Sequence, residues 1–134
     1  MSGKCNALMM ADRVIREDNG KRGIIGAFNT LSFSRFPVIA PPFFVYANIE
    51  DFSGAQEFSL TIAREGAEFV VFSSGGEMHF EEDNKEAELI IPAFGVSFPK
   101  EGIYNLILKI GNYTYGSRKI IVNKMEPRKQ IGGG

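Results

Sequence analysis

The sequence is poor in the residues that most often catalyse reactions or bind metals. Cysteine and histidine occur once each, at Cys5 and His79, and tryptophan is absent. A single cysteine excludes a disulfide within the chain and is typical of a reducing compartment. A single histidine excludes a zinc site that uses two histidines. Cys5 and His79 offer the parts of a nucleophile–base pair, but we favour a buried small residue and a loop histidine, because free cysteine is so often buried.

Long apolar segments and a large net charge are also absent. No segment approaches the roughly 20 consecutive apolar residues that a membrane helix needs. Asp12 and Arg13 interrupt the short apolar stretch after Lys4 too early for a signal peptide. We therefore expect a cytoplasmic protein. The formal net charge of −1 argues against a general nucleic-acid binder, because such proteins carry excess basic charge.

The sequence does contain a series of short apolar runs separated by turn residues. The strongest is Phe43–Ile49, which carries three aromatic residues and follows two prolines. This composition predicts a central strand of a sheet. The runs that we expect to pair with it or pack over it are Cys5–Ile15, Gly23–Phe33, Phe58–Ile62, Phe69–Phe72, Leu89–Ile91, Gly102–Ile110 and Tyr113–Val122.

These runs predict an all-β fold, an antiparallel immunoglobulin-like β-sandwich of about eight or nine strands. The hydrophobic share of 44% is sufficient for the core of one domain. We expect the sandwich to span residues 1–123, followed by a flexible basic tail over residues 124–134 that ends in Gly-Gly-Gly.

Local signals refine this prediction. The first two strands should form a hairpin around Asp18-Asn19-Gly20, with a bend near Asp12 and a bulge or a close backbone approach at Gly26. Ser73–Gly76 and Pro92 should each end a strand. No stretch has a convincing helical repeat, and the best candidate for a helical turn is the polar Glu81–Ala87.

Three stretches resemble a family of uncharacterised bacterial β-sandwich proteins. They are the opening Lys4–Asp12, the return strand Gly23–Phe28 and the closing Gly102-Ile103-Tyr104. The resemblance covers about residues 4–123. It implies a fold and carries no activity.

Neither a metal nor another cofactor is expected. The acidic stretch Glu77–Glu88 offers oxygen ligands, but Glu81-Glu82-Asp83-Asn84 lacks the alternating spacing and central glycine of a calcium loop. We therefore expect a solvated loop there. A phosphate-binding loop at Gly75-Gly76 is not expected, because no helix follows it.

The last residues carry the one functional signal. The segment has a basic lead-in, an apolar residue and then glycines, and it resembles the C-terminal tail of ubiquitin-like modifiers. Because glycine lacks a Cβ, such a tail passes through narrow channels. Three basic residues against Glu126 give Lys124–Gln130 a net charge of +2. The resemblance implies conjugation through Gly134, passage of Gly133 and Gly132, and docking through Ile131, Lys129 and Arg128.

Two functions follow, and neither is enzymatic. In the first, the protein is a modifier whose partners are an E1-like adenylating enzyme, an E2-like protein or a peptidase. In the alternative, it is an interaction or scaffold module that binds another protein through a sheet edge or an aromatic patch, and the tail plays no part. Among the many phenylalanines are Phe33, Phe36, Phe43, Phe44, Phe52, Phe94 and Phe98. Most of these should be core, and a few at the ends of the sandwich should form the patch.

Overall fold

We describe a computed structural model of the chain over residues 3–67, 69–80 and 86–126. All regular secondary structure in these ranges is β-strand, which confirms the all-β prediction. None of it is a helix long and apolar enough to cross a membrane. Eleven strands form in these ranges: β1 Lys4–Arg16, β2 Arg22–Phe28, β3 Thr30–Phe33, β4 Val38–Ile39, β5 Phe43–Glu50, β6 Gly54–Arg64, β7 Val70–Phe80, β8 Glu86–Ala93, β9 Ser97–Phe98, β10 Gly102–Ile110 and β11 Tyr113–Lys124.

The strands form two large sheets and one two-stranded ladder. The four-stranded sheet has the order β2-β1-β5-β8, the five-stranded sheet has the order β3-β11-β10-β6-β7, and β4 pairs with β9. β3 runs parallel to β11, and the other pairs are antiparallel. Strands β1, β5 and β8 occupy the places of A, B and E in an immunoglobulin-like sandwich, and β6, β10 and β11 those of C, F and G. The predicted sandwich is confirmed.

The core lies between the two sheets and follows from alternation along their central strands. In β5 the inward residues Phe43, Val45, Ala47 and Ile49 are buried, and in β10 Tyr104, Leu106, Leu108 and Ile110 are buried. Successive side chains of a strand point to opposite faces, so each strand presents one apolar row to the facing sheet. This is the alternation that the sequence predicted for β10.

The corner before β10 carries a further immunoglobulin-like feature. The Tyr104 ring is fully buried and packs edge-to-face on Phe98 with 5.0 Å between ring centroids. Its hydroxyl donates a 2.6 Å hydrogen bond to the Lys100 carbonyl, four residues upstream. A tyrosine near the start of strand F that bonds back to the preceding backbone is the tyrosine corner of such sandwiches.

The predicted second strand, Gly23–Phe33, is in fact two strands in different sheets. β2 ends at Phe28, and β3 begins at Thr30 and pairs with β11. Between them the Asn29 carbonyl accepts a 2.8 Å hydrogen bond from Ile121 N. The chain therefore crosses to the other sheet at Asn29, and the continuous apolar pattern gave no sign of the crossing.

Two predicted strand ends were wrong. β7 continues through Ser73–Gly76 to Phe80, because Phe58 on β6 lies directly opposite Gly76 and its ring packs over the space that a side chain would fill. Pro92 lies inside β8. β8 is an edge strand, where the missing N–H of proline is tolerated.

Two other expectations involve residues that the structure does not describe. Glu86 and Ala87 belong to β8, so a helical turn there was wrong; residues 81–85 of the same candidate lie outside the described ranges. The predicted tail begins at Lys124, which instead ends β11. Residues 127–134 also lie outside the described ranges.

The tyrosine corner gives a stability prediction. Tyr104→Phe removes the hydroxyl and leaves the Lys100 carbonyl without that donor. We expect the free energy of unfolding to fall by about 1–2 kcal/mol, the scale of one lost buried hydrogen bond. Tyr113→Phe is the matched control, because this tyrosine is exposed, and it should change stability by less than about 0.5 kcal/mol. Urea unfolding curves measure both, and equal losses would contradict the assignment.

Candidate functional site

The residues predicted to carry conjugation lie outside the described part of the chain: Arg128, Lys129, Ile131, Gly132, Gly133 and Gly134. Their roles remain predictions. The last described residues leave the five-stranded sheet beside β3, where Met125 N donates a 2.8 Å hydrogen bond to the Phe33 carbonyl. The Met125 side chain is half exposed.

Cys5 and His79 have separate partners. The Cys5 thiol lies at the start of β1 and donates a 3.2 Å hydrogen bond to the Ala7 carbonyl. Burial raises the pKa of this thiol, which disfavours the thiolate that a nucleophile needs. His79 is exposed on β7, and its Nε2 lies 2.9 Å from the Glu77 carboxylate. Over the described ranges no three Asp, Glu, His or Cys side chains cluster as metal ligands.

The phenylalanines divide much as the sequence predicted. Phe43, Phe52 and Phe98 are core residues, while Phe33 and Phe36 pack against the core. Phe94 is 64% exposed, and Ile39 on β4 is 70% exposed. These two residues belong to the segments around the short β4–β9 ladder.

The free edges of the sheets differ in length and in what obstructs them. Each edge strand pairs on one side with a neighbour, and in the described ranges no strand pairs with its other side. β3 has four residues, β8 contains Pro92 and two glutamates, and β2 is interrupted by Gly26 at a φ of 70°. β7 has eleven residues without proline or lysine. Proline, lysine and short length are the usual protection of an edge, so β7 is the least protected.

Hydrogen bonds on either side of β6 show which backbone groups of β7 are free. The Glu57 carbonyl accepts a 2.7 Å hydrogen bond from Gly111 N, just after β10. The backbone N–H and C=O of Glu57 therefore point away from β7. Glu77 lies opposite Glu57. In an antiparallel pair, the backbone N–H and C=O groups of two opposite residues either point toward each other or point away from each other. The N–H and C=O of Glu77 therefore point outward from the sheet.

The same alternation extends along β7. The register is regular from Gly54↔Phe80 to Ile62↔Phe72, so every second residue shares the orientation of Glu77. These residues are Ser73, Gly75, Glu77 and His79, and their side chains are all exposed. The outward residues in the middle of this edge, Ser73 and Gly75, are small and uncharged. Its free backbone groups can accept one more strand.

A second feature was not anticipated: part of the first hairpin folds back over the four-stranded sheet. Pairing of β1 with β5 ends at Ala11. Arg22 pairs with Arg16, and Glu88 lies at the level of Ala7, one strand beyond β5. The nine residue steps from Ala7 to Arg16 would span about 30 Å in an extended strand. A straight β1 would therefore place Arg22 far from Glu88. Yet Arg22 Nε donates a 2.8 Å hydrogen bond to Glu88 Oε1.

We call residues 12–26 the hairpin arm. The predicted bend near Asp12 is its base. Asp12 lies opposite Gly26, and its carboxylate fills the space where a Cβ at Gly26 would project. The close approach at Gly26 is therefore made by a side chain, whereas a close backbone approach was one of the two predictions. Burial agrees with the fold-back: Ala11 and Tyr46 are buried outside the core between the sheets, and Tyr46 points to the outer face.

The arm and the sheet enclose a groove of about 590 Å³. At its base Glu88 uses both carboxylate oxygens: Arg22 Nε binds Oε1, and the Tyr46 hydroxyl donates a 2.5 Å hydrogen bond to Oε2. Lys21, Asn48 and Glu86 line the remainder. The two residues that meet on Glu88, Tyr46 and Arg22, are 42 and 66 positions away from it in the sequence. No local sequence pattern links them.

The pKa directions agree with this arrangement. Burial, and then the hydrogen bond to Glu88, raise the pKa of Tyr46. Burial alone would raise the pKa of Glu88, but the hydrogen bonds from Tyr46 and Arg22 outweigh it and hold that pKa below its ordinary value of 4.5. Glu88 is thus an ionised carboxylate with two donors at neutral pH.

Comparison with known protein families gives a match to a family whose function is unknown. The model of a family described as one of unknown function matches residues 6–123. No curated protein matches the chain.

Solved structures of β-glucosidase from Listeria innocua are similar over 94% of this chain. The gluconolactone complex gives a TM-score of 0.49 at 8% identity over 16% of that chain. The isofagomine complex gives 0.48 at 7% identity over 17% of that chain. The present chain thus spans about one sixth of those structures. Similarity at this level supports no inference about fold or activity.

Two proline variants test the orientation of the β7 backbone. The Ser73 N–H points to the free edge, so Ser73→Pro should lower the free energy of unfolding by less than about 1 kcal/mol. The Ser74 N–H faces Leu60 on β6, so Ser74→Pro should cost about 2–3 kcal/mol through a lost ladder bond. Urea unfolding measures both. A loss at Ser73 as large as that at Ser74 would show that the orientation is reversed.

Proposed function

The chain belongs to that family of unknown function, DUF6941, and we propose that it is a non-enzymatic interaction module that binds an extended segment of another protein along β7. The observation that carries this proposal is the free edge of β7, with its outward backbone groups at Ser73, Gly75, Glu77 and His79. Exposed edges of this length are where strand addition occurs.

In this mode the backbone supplies most of the affinity. The partner segment would pair with the outward N–H and C=O groups, and alternate side chains would determine specificity. Small residues at Ser73 and Gly75 leave the outer face open at the centre of the strand. The exposed pair of Glu77 and His79, which lies nearer the end of β7, supplies the charged contacts.

Ser73→Pro tests this function separately from stability. Removing an outward N–H and adding a ring at the edge should weaken partner binding at least about tenfold. Ser73→Ala is the matched control, because it removes the same hydroxyl and keeps the N–H. We would capture partners with the tagged full chain, identify those bound by wild type, and measure the Kd of each purified partner with both variants.

The rival outcomes separate clearly in the same experiment. A partner that binds Ser73→Pro as tightly as wild type does not use the β7 edge and contradicts the proposal. Removal of residues 125–134 should leave binding unchanged, because the proposed surface is formed by residues of β7. Loss of binding in that deletion alone would transfer the function to the tail.

We propose conjugation through Gly134 as the second candidate, supported by the glycine run Gly132–Gly134. Intact mass analysis of the full chain with ATP and an E1-like adenylating enzyme should reveal a Gly134 adenylate or thioester. Deletion of Gly133 and Gly134 should abolish conjugation without changing the Tm, because the described core is built from residues between Leu8 and Val122. An unmodified mass for the wild-type chain, together with no Gly134-linked adduct in cells, would end this candidate.

A further inference from the structure

We propose that the hairpin arm covers the outer face of the four-stranded sheet, where contacts among Arg22, Glu88 and Tyr46 hold it, and that it opens about a hinge in β1 at acidic pH. This device is independent of β7, which belongs to the other sheet. It concerns the strands β1, β5 and β8 and the surface that the arm hides.

The hinge is the part of β1 where pairing changes partner. Up to Ala11 the strand pairs with β5, and from Arg13 it pairs with β2 alone. Gly26, at a φ of 70°, lies opposite Asp12 at this point. Beyond it the arm is a two-stranded ribbon, and such a hairpin has little stability of its own in water. Its position therefore depends on contacts with the sheet beneath.

One cluster of charged and hydrogen-bonding side chains holds the arm against the sheet. The Arg22–Glu88 ion pair joins the arm to the sheet, whereas Lys4–Glu50 and His79–Glu77 lie outside the arm. Both partners are about one third exposed or less, so the pair is stronger than a fully solvated one and weaker than a buried one. Tyr46, beneath the arm, holds the second oxygen of the same carboxylate.

Charged and titratable groups face Glu88 from each element around it. Arg22 and Lys21 come from the arm, and Tyr46 comes from β5. Glu86 lies on β8 itself, and the next acid on β5, Glu50, is held by Lys4. When Glu88 gains a proton, Arg22 loses its anionic partner on the sheet.

The direction of the pH effect follows from the pKa of Glu88. That pKa is lowered when the arm is closed, so closure is stabilised above the ordinary value of 4.5 and loses this contribution as the pH falls through the lowered value. The pKa of Tyr46 is raised. Its contribution is present below its ordinary value of 10.0 and is lost as the pH rises beyond that value. The arm is therefore closed near neutral pH.

Hydrogen–deuterium exchange, corrected for intrinsic rates, reads the opening directly. In wild type the protection factors of arm amides in β2 should fall about three- to tenfold between about pH 6 and about pH 3.5, the effect of losing one partly exposed charged hydrogen bond. Amides of β10 and β11 should keep their protection over the same range. Glu88→Gln should show the lowered arm protection already at neutral pH, with no further change in acid.

Glu50→Gln is the matched control, because it removes an equal charge from the same sheet but its partner is Lys4, outside the arm. It should leave arm protection unchanged. Arg22→Gln should reproduce Glu88→Gln from the other side of the pair, and protection of β10 and β11 verifies that each variant is folded. Arm protection that is equal in wild type and Glu88→Gln, or that persists in acid until the whole protein unfolds, would overturn the proposal.

Discussion

Burial of alternate side chains between two sheets is the constraint on which the rest of this structure depends. The inward rows of β5 and β10 leave no room for a helix against either inner face, and each buried position fixes the register of its strand. Tyr104 then anchors the corner that leads into β10. With the inner faces occupied by the core, function has to lie on the outer faces, the loops and the edges.

Those outer parts are not equivalent. One sheet is covered on its outer face by its own first hairpin, which a carboxylate holds in place. The other sheet leaves an eleven-residue edge without a covering strand in the described ranges. Strand addition needs only backbone groups in a fixed orientation.

The sequence predicted the fold well where the signal was local. Phe43–Ile49, rich in aromatic residues, became part of β5, and Gly102–Ile110, with its apolar residues on one side, became β10. Prediction failed where contact with a distant residue decided the outcome. The Phe58 ring packs beside Gly76, and β7 continues through that glycine. The hydrogen bond from Ile121 N to the Asn29 carbonyl joins Asn29 to the other sheet. The site was harder still. That Ser73 faces outward depends on the pairing of β6 with both neighbours, which no local pattern encodes.

Amide exchange along β7, measured residue by residue with and without a bound partner, tests the central claim most directly. The account predicts that Ser73, Gly75 and Glu77 gain protection on binding, while Ser74 and Gly76, which already face β6, change little. Protection that stays unchanged at the three outward amides while the partner is bound would show that the edge of β7 is not the binding surface.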